Sequence, residues 1–101
     1  SMDTPVPEHV VIQGITAEGK TFRPSDWSER LAGVMSEFHP SRQGTGRRLG
    51  YSPWCVPSTR EGVTCVVVSR KLRDYQPMAW DFVMNFARDN GLRVFDEADP
   101  S

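Results

Sequence analysis

The chain has 101 residues, 38% of them hydrophobic and 25% charged, with a formal net charge of -1. That length holds one domain with one modest core, and the balance is that of a folded protein rather than a disordered tail or a fibre. The near-zero charge excludes the global positive field of a general nucleic-acid binder, so such a role would need a local patch.

No apolar run approaches the ~20 residues of a membrane helix, and no basic-then-apolar segment opens the chain, so neither export nor anchoring is expected. Two cysteines in such a chain read as reduced thiols of a cytosolic protein. Residues 1–8, with Pro5 and Pro7, and the acidic residues 97–101 are expected to be flexible ends of a single 9–96 domain.

The first element, His9 to Ile15, is rich in β-branched residues and is closed by the turn-forming Ala17-Glu18-Gly19-Lys20, which marks a strand. A helix follows, with Ser25 or Asp26 as N-cap and Glu29 as the capping-box partner of Asp26. Trp27, Leu31, Val34, Met35 and Phe38 recur on one helical face, and Pro40 ends the pattern.

Tyr51 to Pro57 and Val63 to Ser69 read as two strands joined by the five-residue loop Ser58 to Gly62. That register sets Cys55 opposite Cys65, on the same face. Pro53 and Pro57 assign the first of these strands to a sheet edge, and the apolar run Val63 to Val68 assigns the second to the centre. A second helix starts between Asp74 and Pro77 and stops at Asn90-Gly91. Leu92 to Asp96 is the last strand.

The order βαββαβ with right-handed crossovers gives an α+β, ferredoxin-like fold: a four-stranded antiparallel sheet with two helices on one face. The strands expected in the centre, Val10 to Ile15 and Val63 to Val68, carry no aromatic side chain. The base-stacking platform of an RNA-recognition module is therefore missing.

Chemistry-bearing motifs are sparse. His9, His39, Cys55 and Cys65 form no C-x-x-C or H-x-x-x-H pattern, which argues against a zinc site. Asp26, Asp81 and Asp89 are spread over solvated helix positions, and no cofactor is implied. Gly44-Thr45-Gly46-Arg47-Arg48-Leu49-Gly50 lacks the P-loop pattern and precedes a strand rather than a helix. With Arg42 it forms a candidate anion clamp, Arg42, Arg47 and Arg48, within the 39–50 loop, whose bland reading is a mobile solvated segment.

The phrases Ile12-Gln13-Gly14-Ile15-Thr16, Gly19-Lys20-Thr21-Phe22-Arg23-Pro24-Ser25-Asp26-Trp27, Tyr51-Ser52-Pro53 and Met84-Asn85-Phe86-Ala87-Arg88-Asp89-Asn90 resemble a family of small bacterial proteins, domain of unknown function 3579, found mainly in beta-proteobacteria. The resemblance implies a cytosolic bacterial protein. It brings no activity, cofactor or catalytic residue to carry over.

The resulting expectation is a non-enzymatic regulatory or interaction domain that self-associates, with a small metabolite or an acidic protein as further candidate partners and no membrane. The alternative is a nucleic-acid- or anion-binding accessory protein acting through residues 42–48. The hairpin is apolar on both faces, with Pro53, Cys55, Pro57, Val63, Cys65 and Val67 on one and Trp54, Val56, Val66 and Val68 on the other, and two helices can bury only one of them. Helix two carries the same surplus, with Trp80 and Met84 on its flank. Trp54, Val56, Val66, Val68, Trp80 and Met84 are the expected homodimer interface, the open sheet face first and helix two second.

Overall fold

The computed structural model describes residues 8–37 and 51–97. Four strands, β1 (His9–Thr16), β2 (Cys55–Arg60), β3 (Val63–Ser69) and β4 (Leu92–Glu97), form one sheet in the order β2-β3-β1-β4. All three neighbouring pairs are antiparallel. With α1 (Trp27–Met35), α2 (Lys71–Tyr75) and α3 (Pro77–Asp89) between them, this is the ferredoxin-like arrangement. As the prolines and valines require, β2 is an edge and β3 is central.

The ladder register assigns each strand residue to a face, because directly opposed residues share one. Ile12, Val66, Val68 and Cys55 fall on the face that carries the helices. Leu31 and Met35 of α1, Leu72 of α2, and Ala79, Val83 and Ala87 of α3 close over them in one buried cluster. Val11, Cys65 and Val67 form a smaller buried cluster on the opposite face, with Val56 and Val63 packed against it.

The β2–β3 hairpin departs from expectation. Its loop is the two residues Glu61 and Gly62, not five, so Arg60 pairs with Val63, Ser58 with Cys65 and Cys55 with Val68. Both turn residues have positive φ, 54° and 80°, as a type I′ turn requires. A shift by an odd number of residues exchanges the faces. Cys55 lies under the helices and Cys65 on the opposite face, so the expected same-face cysteine pair is not formed.

Helix α1 starts at Trp27 with Asp26 at its N-cap position, but no side-chain cap bond is made. The Asp26 carboxylate instead accepts from Arg30 Nε at 3.0 Å, an i,i+4 ion pair that replaces the expected capping box. The last helical residue is Met35. Val34, expected on the packed face, is exposed, while Ser28 and Ala32 are buried in its place. Phe38 and Pro40 lie outside the described residues.

The aromatic contacts explain a glycine inside β1. Trp27 stacks on Phe86 of α3 and meets Phe22 edge-on, at centroid distances of 6.1 and 5.6 Å. Its indole lies across β1 at Gly14, where an added Cβ would stand 2.7 Å from Trp27 Nε1 and 2.9 Å from the Thr64 carbonyl oxygen. Only a residue without a side chain lets the ring approach the sheet this closely.

The segment after β3 holds a short helix that the sequence pattern did not announce. Ser69 Oγ accepts from Lys71 N at 3.1 Å at its start, and Leu72 plugs the core. Gln76, at φ -143°, breaks the chain direction, and Pro77 then opens α3 at its first position. Gly91, at φ 66°, follows the C-terminal end.

Candidate interaction surfaces

The sheet face away from the helices carries His9, Val11 and Gln13 of β1, Cys65 and Val67 of β3, Val56, Ser58 and Arg60 of β2, and Arg93, Phe95 and Glu97 of β4. Arg60 ends one edge strand and Glu97 ends the other, yet the two side chains meet. Arg60 Nη2 donates to Glu97 Oε1 at 2.8 Å and Nε to Oε2 at 3.2 Å, a bidentate pair. Sheet twist accounts for it, since a right-twisted sheet is saddle-shaped and lifts diagonally opposite corners toward one face. The guanidinium also donates to Ser58 Oγ.

This clasp sets the electrostatics of the face. The bond from Arg60 holds the Glu97 carboxyl below its ordinary value, and the charge of His9 adds to the effect. Glu97 in turn raises Arg60. His9 presents a buried Nδ1 without a hydrogen-bond partner among the described residues. Burial pushes the Cys65 thiol up against the opposing influence of Arg60, and Cys65 Sγ lies 3.4 Å from the Val63 carbonyl. Burial pushes Cys55 up to about 12. Neither thiol supplies a thiolate near neutral pH, which is what nucleophilic or metal-binding cysteine needs. Among the described residues no three His, Cys, Asp or Glu side chains are grouped to hold a metal ion.

The expected interface residues are distributed differently from the sequence reading. Val66 and Val68 are fully buried beneath the helices, because the hairpin register turns them inward. They belong to the core and to no exposed surface. Val56 lies on the opposite face from them, half-buried against Val11, Cys65 and Val67. Trp54 packs against the main core, with its ring centroid 4.9 Å from that of Tyr75. Trp80 and Met84 are likewise half-buried against that core. The open face is not an exposed apolar sheet either, since Val11 and Cys65 have no accessible surface.

The apolar surface that remains exposed lies elsewhere. On α3 the buried stripe is Ala79, Val83 and Ala87, small residues that let the helix sit close to the sheet. Met78 and Phe82 consequently point outward, 79% and 50% exposed, with Tyr75 of α2 beside them in sequence at 53%. On β4, Val94 and Phe95 are also exposed. The i, i+4 spacing of Met78 and Phe82, offset from Ala79, Val83 and Ala87, is the sequence signal for this exposed flank.

Arg42, Arg47 and Arg48 lie outside the described residues, as does the whole 39–50 loop. The other basic cluster, Arg70, Lys71 and Arg73, is partly paired. Arg70 pairs with Asp96, Arg70 and Arg73 stand 6.0 and 5.7 Å from the Trp80 ring centroid, and Lys71 is 4.0 Å from Glu8. On the open face the central strands carry no phenyl, phenol or indole ring, only the His9 imidazole, and Phe95 of edge strand β4 is the one phenyl ring among its described strand residues.

The family described as a protein of unknown function, DUF3579, matches residues 6–97. The chain belongs to the DUF3579 family. A solution structure described as the first structural representative of its family is similar to this DUF3579 chain, with 36% identity and a TM-score of 0.76, covering 95% of this chain and 84% of that one. No match is found among curated proteins. Among the described residues of the DUF3579 chain, no helix is long and apolar enough to cross a membrane.

Proposed function

We propose that this DUF3579 protein is a non-enzymatic interaction domain that works by self-association. One observation carries the reading: among the described residues both thiols are buried, while large apolar side chains stand exposed, Met78 and Phe82 one turn apart on α3, and Val94 and Phe95 on the two faces of edge strand β4. Scattered apolar residues are ordinary on a monomer, whereas grouped ones mark contact surfaces. A net charge of -1 opposes the meeting of two copies only weakly.

The two cysteines favour no enzymatic alternative, because their thiols are pushed toward the protonated form. Asp96 and Glu8 stand beside Arg70 and Lys71, which weakens the pull of that cluster on a polyanion. A homodimer through one of these surfaces is the simplest closed assembly. Sedimentation velocity from low micromolar to near-millimolar concentration tests the reading. A mass that rises with concentration and persists at high salt supports it, and a constant monomer mass contradicts it.

A further inference from the structure

The two edges of the sheet are not equivalent. β2 carries Pro57, which has no N–H to offer, paired with Val66 on its inner side. β4 holds no proline, Arg93 to Asp96 are all exposed, and its charges Arg93, Asp96 and Glu97 are of both signs, so they can complement a second copy as well as guard the edge. One side of β4 has no strand beside it among the described residues. Such an edge presents unpaired backbone donors and acceptors ready for strand addition.

We propose that β4 pairs antiparallel with β4 of a second copy about a twofold axis centred on Phe95. The inference rests on the self-association reading and names its surface and its partner. Two four-stranded sheets then become one continuous sheet with all helices on the same side.

Symmetry restricts the register. A twofold axis normal to the sheet keeps every residue on its own face, so opposed residues must be an even number of positions apart and the axis must fall on a residue. Centring on Val94 would set Arg93 against Phe95 and Leu92 against Asp96, charge against apolar side chain in both cases. Centring on Phe95 sets ring against ring, and Arg93 against Glu97 of the second copy, twice over. Cross-strand aromatic and opposite-charge pairs are the stabilising kinds.

The charges needed are in place. Arg93 is exposed and has no ionic partner among the described residues. Glu97 is fixed by Arg60 on the same sheet face as Arg93, and its carboxylate has capacity for a further donor. On the helix face Val94 falls opposite Asp96, whose carboxylate is already held by Arg70.

The test is sedimentation velocity of the full chain with four variants, each checked for folding by circular dichroism. Phe95→Lys and Arg93→Glu each weaken dimerisation by about tenfold or more while Met78→Ser leaves it unchanged. Mixing Arg93→Glu with Glu97→Arg chains restores a heterodimer, since both cross-strand pairs are then of opposite sign. If Glu97→Arg fails to fold, the two single variants decide. A wild-type dimer that survives both Phe95→Lys and Arg93→Glu overturns the β4 contact and leaves self-association standing. Loss of the dimer in Met78→Ser alone moves the contact to the helices and also overturns it. A wild type that stays monomeric overturns the proposed function and this inference together.

Discussion

Gly14→Ala and Gly33→Ala are the same chemical change with opposite expected signs. At Gly14 a Cβ would meet Trp27 Nε1 at 2.7 Å and the Thr64 carbonyl oxygen at 2.9 Å. Neither neighbour is free to yield. Trp27 is held between Phe22 and Phe86, and Thr64 belongs to a central strand bonded on both sides. Overpacking of this kind costs about 1–3 kcal/mol, against which the stiffer unfolded chain returns about 0.4–1 kcal/mol. With two approaches under 3.0 Å the overpacking cost falls in the upper half of its range, and the net loss of about 1–2.6 kcal/mol lowers Tm by roughly 4–20 °C at this chain length.

At Gly33, within α1, a Cβ meets nothing within 4 Å. Alanine there gains about 0.5–1 kcal/mol from helix propensity. Urea titration followed by far-UV circular dichroism reads both. Two variants moving the midpoint in the same direction, or Gly14→Ala matching wild type, would refute the proposed packing of Trp27 against β1.

Glu61 sits at φ 54° in the hairpin turn, a conformation that asparagine tolerates better, so Glu61→Asn should stabilise by about 0.5–1 kcal/mol in thermal melts. A loss instead would contradict the two-residue turn. Cys55 and Cys65, buried with raised thiol pKa values, should release no colour with a thiol reagent at mildly alkaline pH until denaturant is added. Rapid titration in the native state would contradict their burial.

The clasp gives a pH signature. Glu97 is held below its ordinary value chiefly by Arg60, so its contribution is present above the unfolded carboxyl value of about 4.3 and is lost as pH falls through the folded one. Glu97→Gln should cost about 0.5–1 kcal/mol near neutral pH, and its gap from wild type should close on acidification below about pH 4. A gap independent of pH would mean that the pair contributes nothing.

Element order was legible because each signal was local: β-branched runs, Pro77 at a helix start, Gly91 past a helix end. The hairpin register was not. Glutamate at Glu61 hides a turn that asparagine would have announced, and the shift moved Val66 and Val68 from the expected interface into the core. On α3 the buried stripe is Ala79, Val83 and Ala87, with Phe82 turned outward, because close helix–sheet contact favours small side chains. The Arg60–Glu97 pair joins residues 37 apart through sheet twist, a global property that no local pattern encodes.

Amide hydrogen exchange of β4 at two protein concentrations tests the central claim of self-association most directly, because it reports both the event and its place. The account predicts that outward-facing amides between Arg93 and Glu97 gain protection as concentration rises, while those of β2 do not change. Protection that is the same in dilute and concentrated samples throughout the chain would contradict self-association, and a gain confined to α3 would contradict the β4 contact alone.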